Sequence, residues 1–201
     1  MLPENLLLMS KEELPEVAKA TDSSELLSLV ELLSEKDDKI RYQAFLLLQY
    51  RSQLLGDVYP FWETFRAKLK DANSYQRSIG IMLIAENVEW DVENKMAASL
   101  DDCMGLLKDD KPITIRQSIQ ALGKIAEVKP DLCDKIANML MSIDFAEIKE
   151  TMRKSVLLDI LSVLVVIRKN FKNDKMDNFI LDSLSGGILD KKAIKQIQTS
   201  L

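Results

Sequence analysis

The sequence contains no histidine, and this absence argues against many classes of enzyme and of metal-binding protein. Histidine is the side chain most often used as a general base near neutral pH, and its imidazole is the commonest metal-binding group. We therefore expect no catalytic residue, no bound metal ion and no cofactor. The composition favours a protein that is not an enzyme.

Cysteine, glycine and proline are also scarce. The two cysteines, Cys103 and Cys133, lie in separate predicted helices without the CxxC spacing of a redox or metal pair. They are expected to be buried thiols in a reducing cytosol, which predicts a cytoplasmic location. Six glycines and five prolines are too few for a flexible linker or a strand-rich domain.

Long apolar runs are absent. The most apolar stretch, VLLDILSVLVVI at residues 156–167, contains Asp159 and Ser162 and is shorter than the roughly 20 residues that a transmembrane helix needs. The N-terminal LLLM run has no basic residues before it, so a signal peptide is not expected. The sequence predicts no association with a membrane.

The charge balance is acidic and uneven. The chain has 27 basic and 32 acidic side chains and a net charge of -5. Such a chain as a whole is repelled by polyanions, which makes nucleic acid an unfavourable partner. From Arg168 onward, seven basic and four acidic residues give +3, so the rest carries -8. The densest basic stretch is KKAIK at residues 191–195.

The main positive feature is a repeat. Four arginines, which recur at intervals of 36, 39 and 37 residues, are Arg41, Arg77, Arg116 and Arg153. A helix face places apolar residues one before, three after and six after each arginine. Of these twelve positions, ten carry an apolar residue or glycine, and the two exceptions are Gln76 and Asp159. The period is therefore attributed to a repeated helical unit.

Each arginine-bearing segment follows another helix-patterned segment, and a short polar turn separates the two. Repeated helical pairs stack because one pair cannot bury its own apolar face. We predict an all-α, right-handed α-α superhelix of about four to five helix pairs, forming a single domain over residues 1–201. Residues 1–22 are expected to form an N-terminal cap, 23–170 four repeats, and 171–201 a degenerate repeat or cap.

The turns and arginines resemble the HEAT-repeat family of α-solenoids, whose units carry an Asp in the turn and an Arg early in the second helix. The resemblance covers about residues 23–170. It is clearest in LLKDDKPITIRQSIQALGKIAEVKP, with Asp109, Asp110 and Arg116, and next in LKDANSYQRSIGIMLIAENVEW, with Asp71 and Arg77. The second stretch is also similar to small bacterial HEAT-like proteins without an established activity.

The outer repeats depart from the HEAT pattern. Asp37 and Asp38 lie closer to Arg41, and Asp144 lies farther from Arg153. The resemblance implies that these Asp and Arg side chains hold successive units in register. A guanidinium, which offers five donors, can bridge a turn carboxylate and helix-terminal carbonyls. A phosphate-binding stripe is the competing interpretation, and it is weaker because engaged arginines are not available to phosphate.

Candidate contact residues lie beside the arginines and in the aromatic second repeat. Phe61 and Phe65 are expected in the core, whereas Trp62, Tyr75 and Trp90 are candidates for contact with a partner, because aromatic residues are frequent at binding hot spots. The candidates on the arginine-bearing helices are Tyr42, Gln43, Ser78, Gln117 and Ser118. The helix at 156–167 is either buried by the C-terminal helices or a face that awaits a partner.

Two functions follow as hypotheses. The first is a non-enzymatic scaffold that presents a curved helical surface to another protein or a peptide, with the oligomeric state open. The second is a HEAT-like DNA-binding protein or alkylpurine DNA glycosylase, with Trp62, Trp90 and Asp71 in its base-binding and acid roles. Acidity opposes it, because duplex binding requires several basic contacts to phosphate. The di-iron HEAT hydroxylases are set aside for lack of histidine.

Overall fold

The computed structural model describes residues 3–201, and α-helices contain most of them. The described residues contain no β-strand, which confirms the all-α prediction. In chain order the helices are α1 (Pro3–Leu8), α2 (Leu14–Ala20), α3 (Leu26–Leu32), α4 (Asp38–Leu54), α5 (Trp62–Lys68), α6 (Ser74–Asn87), α7 (Lys95–Gly105), α8 (Pro112–Val128), α9 (Cys133–Met141), α10 (Glu150–Arg168), α11 (Asp174–Ser185) and α12 (Lys191–Ser200).

Helix pairs occupy the segments that the period predicts as repeats. The pairs are α3 with α4, α5 with α6, α7 with α8, and α9 with α10. The second helix of each pair carries one of the four periodic arginines close to its first residue. The segment predicted as a fifth repeat or cap contains α11 and α12. Short 3-10 segments precede or follow several of the helices.

Side chains in the polar turns determine where the second helices begin. The Asp37 carboxylate accepts hydrogen bonds from the amides of Lys39 and Ile40, and the Asn73 side chain accepts one from the Tyr75 amide. These bonds satisfy amides that have no partner within the first helical turn. Pro112 occupies the first turn of α8, where a missing amide costs nothing.

The N-terminal segment contains two helices where the sequence indicates one. The predicted SKEELPEVAKA helix is α2, and α1 precedes it. Both helices pack against α4, with Leu6 and Leu14 fully buried. Helix α1 is only six residues long, too short for its apolar residues to show a helical period. Its stability comes from packing against α4 rather than from the intrinsic preference of its sequence.

The chain divides into two compact units, Met1–Ala98 and Ser99–Leu201. In the first unit, Trp62 and Phe65 of α5 are fully buried, and α5 packs closely on α6. A Cβ atom on Gly80 would lie 2.6 Å from the Phe65 carbonyl oxygen, so this approach requires glycine.

In the second unit, α10 packs on α8 and on the C-terminal helices α11 and α12. Its apolar side chains are buried, and they are Val156, Leu157, Ile160, Leu161, Val163, Leu164, Val165 and Ile167. The stretch at 156–167 is therefore part of the core, which decides between the two interpretations that the sequence left open. Gly123 of α8 lies against Val163, whose Cγ2 atom would be 2.9 Å from an added Cβ.

The prediction of one domain over residues 1–201 stays a prediction, since each compact unit has its own core. Among the described residues, no helix combines the length and the apolar character that spanning a membrane requires.

Candidate functional site

Three of the four periodic arginines bind the turn that precedes their own helix. Arg41 donates from Nη1 to the Glu35 carbonyl oxygen at 2.8 Å and pairs with Asp38. Arg77 donates from Nη1 to the carbonyl oxygens of Asp71 at 2.8 Å and Ala72 at 2.9 Å. The guanidinium groups thus tie each turn to the helix that follows it.

Arg153 repeats this arrangement in the fourth pair. Its Nε atom donates to the carbonyl oxygen of Ile148 at 3.0 Å, and its Nη2 atom lies 3.5 Å from the carbonyl oxygen of Ala146. Both acceptors belong to the turn between α9 and α10. A guanidinium can serve two carbonyls at once because its donors lie in a fixed plane.

Arg116 instead connects two repeats. Its Nε and Nη2 atoms donate to the Asp159 carboxylate of α10 at 2.6 and 3.2 Å, and Gln120 adds a third bond at 3.1 Å. The hydrogen bond to Asp159 raises the pKa of Arg116 above its ordinary value. This arrangement differs from the predicted pairing with a turn carboxylate.

The predicted turn carboxylates shape the turns themselves. Asp71 accepts a hydrogen bond from the Asn73 amide at 2.7 Å, and Asp109 accepts one from the Lys111 amide at 2.8 Å. Asp110 pairs with the Lys111 ammonium at 3.1 Å. Short polar side chains that bind an amide two residues later are typical of tight turns before helices.

A second polar connection between repeats lies in the first unit. Gln76 donates to the Leu33 carbonyl oxygen at 2.7 Å, and its side-chain oxygen accepts from the Lys68 ammonium. Lys68 also donates to Ser34 Oγ at 3.1 Å. Burial lowers the pKa of Lys68, while the nearby Asp71 carboxylate opposes this shift.

Helices α4 and α6 share a polar face further along their length. The Glu86 carboxylate accepts hydrogen bonds from Gln49 at 2.8 Å and from Gln53 at 3.1 Å. Tyr42 and Tyr75 lie near the start of the same two helices and are exposed. We call the residues Tyr42, Gln49, Gln53, Tyr75 and Glu86 the α4–α6 face.

A cleft of about 470 Å³ lies where the first turns of α4 and α6 meet, and we call it the turn cleft. The residues that line it are Ser34, Glu35, Lys36, Asp38, Arg41, Asp71, Asn73, Tyr75 and Gln76. The cleft therefore combines the α3–α4 turn and the α5–α6 turn with one exposed aromatic side chain, Tyr75. The Arg41 guanidinium lies over the Tyr75 ring, 5.5 Å from its centroid.

The exposed candidates from the sequence lie in or beside this region. Tyr75 is 65% exposed at the turn cleft, and Tyr42 is 48% exposed with the Lys11 ammonium 5.5 Å from its ring centroid. Gln43 is half-buried and donates to the Met9 carbonyl oxygen at 3.0 Å. Of these three, only the tyrosines present a large surface to a partner.

Burial corrects several other candidates. Trp62 and Ser118 are fully buried, and Ser78 is nearly so. Ser118 donates to the Thr114 carbonyl oxygen of its own helix at 2.8 Å. None of these side chains can contact a partner, and Trp62 cannot stack on a nucleobase. Their helical spacing indicated the correct elements but not which face of each element is inward.

The remaining two candidates are half-buried. Trp90 donates from Nε1 to the Ser52 carbonyl oxygen at 2.6 Å, and its ring lies against Gly56, whose added Cβ would be 3.0 Å away. Gln117 has a buried side-chain oxygen with no hydrogen-bond donor in the part of the chain that the structure describes. Trp90 thus connects two repeats rather than standing free.

One structural arginine, Arg51, lies outside the period, so the repeat pattern does not indicate it. Arg51, 5% exposed, donates to the carbonyl oxygens of Ala18 at 3.0 Å and Lys19 at 2.9 Å, and binds Asp57 at 2.7 Å. Hydrogen bonding to Arg51 lowers the pKa of Asp57. The spacing of Arg51 and Asp57 across a predicted helix end was the available signal.

Asp91 is a second structural residue that the repeat pattern does not indicate. It accepts hydrogen bonds from the Tyr59 hydroxyl at 2.9 Å and from the amides of Lys95 and Met96 at 2.7 and 2.9 Å. Burial, together with the bond to Asp91, raises the pKa of Tyr59 to about 12. An Asp shortly before a predicted helix was the signal for this role.

Both cysteines of the chain lie in the core. Cys103 and Cys133 are buried and form no disulfide bond, and burial raises the pKa of Cys133. Within residues 3–201, no cluster of three or more Cys, Asp or Glu side chains is arranged to hold a metal ion.

Comparison with solved structures supplies the fold class. A designed armadillo repeat protein in complex with the peptide (KR)4 superposes with a TM-score of 0.67 at 14% identity, covering 98% of this chain and 88% of that one. The fold is a helical-repeat solenoid. A second designed armadillo repeat protein matches the solenoid with a TM-score of 0.61 at 16% identity, covering 100% of this chain and 98% of that one.

An engineered protein superposes with a TM-score of 0.50 at 14% identity, covering 98% of this chain and 97% of that one. No family model matches the sequence, and no curated protein is significantly similar to it. The predicted fold class is thus confirmed at the level of a helical-repeat solenoid.

Proposed function

We propose that the protein is a non-enzymatic interaction module that binds a peptide or an extended segment of another protein. The observation that carries this proposal is the α4–α6 face together with the turn cleft. Two exposed tyrosines, the side-chain amides of Gln49 and Gln53 and an open cleft lie together on neighbouring second helices. Amides and aromatic rings are the groups that recognise peptide backbone and side chains.

The fold supports this class of function. Solenoids are commonly used as binding scaffolds, and one structural neighbour was solved with a peptide bound. The first unit is acidic, because residues 1–98 contain 17 Asp and Glu against 11 Lys and Arg. A basic segment is therefore the favoured partner in this region, because opposite charges steer association.

Three finer assignments belong to the same proposal. The repeats are of the HEAT type, since each helix pair carries an arginine early in its second helix. The location is cytoplasmic, a reducing compartment that suits two buried thiols, Cys103 and Cys133. Residues 1–201 form one domain, since the helical repeat continues through both units.

Selection of short random peptides displayed on phage against the immobilised full chain tests the proposal. We expect enriched peptides whose retention falls when Tyr42 and Tyr75 are both replaced by alanine. The control is Leu27→Ala, which removes another exposed apolar side chain, 57% exposed, from a different helix. Absence of enrichment over a blank surface, or equal loss in the control, would contradict the proposal.

A further inference from the structure

At the turn cleft, most of the positively charged side chains are buried, whereas the carboxylates are exposed. Arg41 lines the cleft and is 8% exposed, and it donates to the Glu35 carbonyl oxygen. Lys68, which is 9% exposed, does not line the cleft but donates to two residues that do, Ser34 and Gln76. Burial of both side chains limits the access of an anionic ligand to either cation. Lys36 is the exposed cation among the lining side chains, and the Glu35 carboxylate lies next to it in the chain.

The anions, by contrast, face solvent. Asp38 has a side chain that is 81% exposed, and Glu35 and Asp71 are also exposed. Each of the three uses one oxygen in a local bond, to Arg41, to the Lys36 amide and to the Asn73 amide respectively. Across residues 3–201, no hydrogen-bond donor reaches the second oxygen of any of them.

Tyr75 adds a flat aromatic surface at the edge of the cleft. One face of its ring meets the Arg41 guanidinium, and 65% of the side chain remains exposed. A second planar cation can stack on an exposed tyrosine ring and at the same time donate to a carboxylate. Guanidinium fits both requirements better than ammonium, because it is planar and carries its donors in a fork.

We propose that the turn cleft binds an arginine side chain of the partner segment, stacked on Tyr75 and hydrogen-bonded to Asp71 or Asp38. This inference rests on the proposed function and makes its partner chemically specific. Charge complementarity with the acidic first unit supports the same partner. The arginine anchors the segment at the start of the α4–α6 face, where the two turns meet.

Titration of the isotope-labelled full chain with acetyl-arginine amide, followed by NMR, tests this inference directly. We expect shifts confined to the turns that line the cleft and to Tyr75. Acetyl-citrulline amide, which has nearly the same shape without the charge, should bind at least about threefold more weakly. Acetyl-glutamate amide, which probes an anion site, should not shift the cleft residues.

Two variants locate the contact. Asp71→Asn and Tyr75→Leu should each weaken the arginine probe about threefold, whereas Glu16→Gln, an exposed carboxylate on α2, should leave it unchanged. Equal binding of citrulline, binding of glutamate in the cleft, or no cleft shift with the arginine probe would overturn the inference.

The outcomes separate the two proposals. If selected peptides bind but the arginine probe does not shift the cleft, the arginine site is wrong and the interaction module stands. If the arginine probe binds but no peptide is ever selected, the cleft recognises arginine and the proposed scaffold function fails. If neither binds, both proposals are wrong.

Discussion

Asp159 is a carboxylate on a helix whose other side chains are mostly apolar and buried. Its own side chain is 11% exposed, and it accepts hydrogen bonds from Arg116 and Gln120 of α8. A carboxylate in such surroundings is costly unless it is paired. The pair therefore adds a polar connection to the apolar packing of α8 on α10.

Replacement of Asp159 by alanine should lower the free energy of unfolding by about 1.5–3 kcal/mol, because hydrogen bonds to charged groups are lost and Arg116 is left unpaired. Urea denaturation of the full chain measures this change. Asp182→Ala on α11 is the control, since its side chain is exposed and the helix propensity changes equally. Equal effects of the two variants would contradict the role of the pair.

Asp57 gives a prediction that depends on pH. Its pKa is lowered in the folded state by Arg51, so its contribution to stability is present above the unfolded pKa of about 4 and is lost as the pH falls through the lower folded value. Asp57→Asn should thus be less stable than the wild type near neutral pH. The difference in unfolding free energy should shrink as the pH drops below about 4.

Denaturation of both proteins across this range measures the effect. Glu16→Gln provides the comparison, because Glu16 is exposed and forms no hydrogen bond or ion pair within residues 3–201. If the difference in unfolding free energy between wild type and Asp57→Asn stays the same at acid pH, the ion pair of Asp57 with Arg51 does not stabilise the fold.

For individual residues, the sequence pattern identified which positions are unusual but not what their side chains contact. Gln76 and Asp159 were the two breaks in the apolar pattern, and both make polar connections between repeats. The pattern could identify them as exceptions, but their partners lie on other helices and could not be identified. Trp62 shows the converse, because its aromatic character suggested contact although its position is in the core.

At the scale of helices, the close packing of α6 on α5 depends on Gly80. Gly80 lets α6 approach α5, and an added Cβ would lie 2.6 Å from the Phe65 carbonyl oxygen. Backbone atoms cannot move aside as the end of a flexible side chain can. The helices must therefore separate if a larger residue is introduced.

Gly80→Ala should destabilise the protein by about 1–3 kcal/mol, as overpacking does in other cores. Gly105→Ala is the matched variant, because nothing lies within 4 Å of its added Cβ and its backbone is helical. That variant should be neutral or more stable by up to about 1 kcal/mol. Thermal denaturation of both checks the contrast, and destabilisation by Gly105→Ala of the same size would contradict it.

Element boundaries were largely predictable, because capping residues and prolines mark them locally. Asn73 begins α6 and Pro112 begins α8, as their chemistry indicates. The partners of the arginines were harder to predict, because a guanidinium can reach a turn carbonyl or a neighbouring helix equally well. Arg77 binds the carbonyl oxygens of its own turn, and Arg116 binds the Asp159 carboxylate of α10.

At the scale of the whole molecule, charge differs between the two units. Residues 1–98 carry 11 basic and 17 acidic side chains, a balance of -6, whereas residues 99–201 carry 16 basic and 15 acidic ones, a balance of +1. The 36- to 39-residue period predicted the solenoid from sequence alone. The division near Ala98 could not be predicted, because the repeat continues through it.

This charge distribution predicts that duplex DNA is not a ligand. Duplex binding draws on several Lys or Arg contacts to phosphate and weakens steeply with salt. We expect no mobility shift of a short duplex even at low salt. A shift that disappears as salt is added would return the DNA-binding hypothesis to consideration, and loss of that shift after neutralising lysines 191, 192 and 195 would locate it at α12.

The most direct test of the account is hydrogen exchange of the full chain with and without a peptide obtained by phage selection. The account predicts slower exchange in the turns at residues 34–38 and 71–75 and along the α4–α6 face. Protection confined to residues 99–201, or no change in either turn when the peptide is bound, would contradict it.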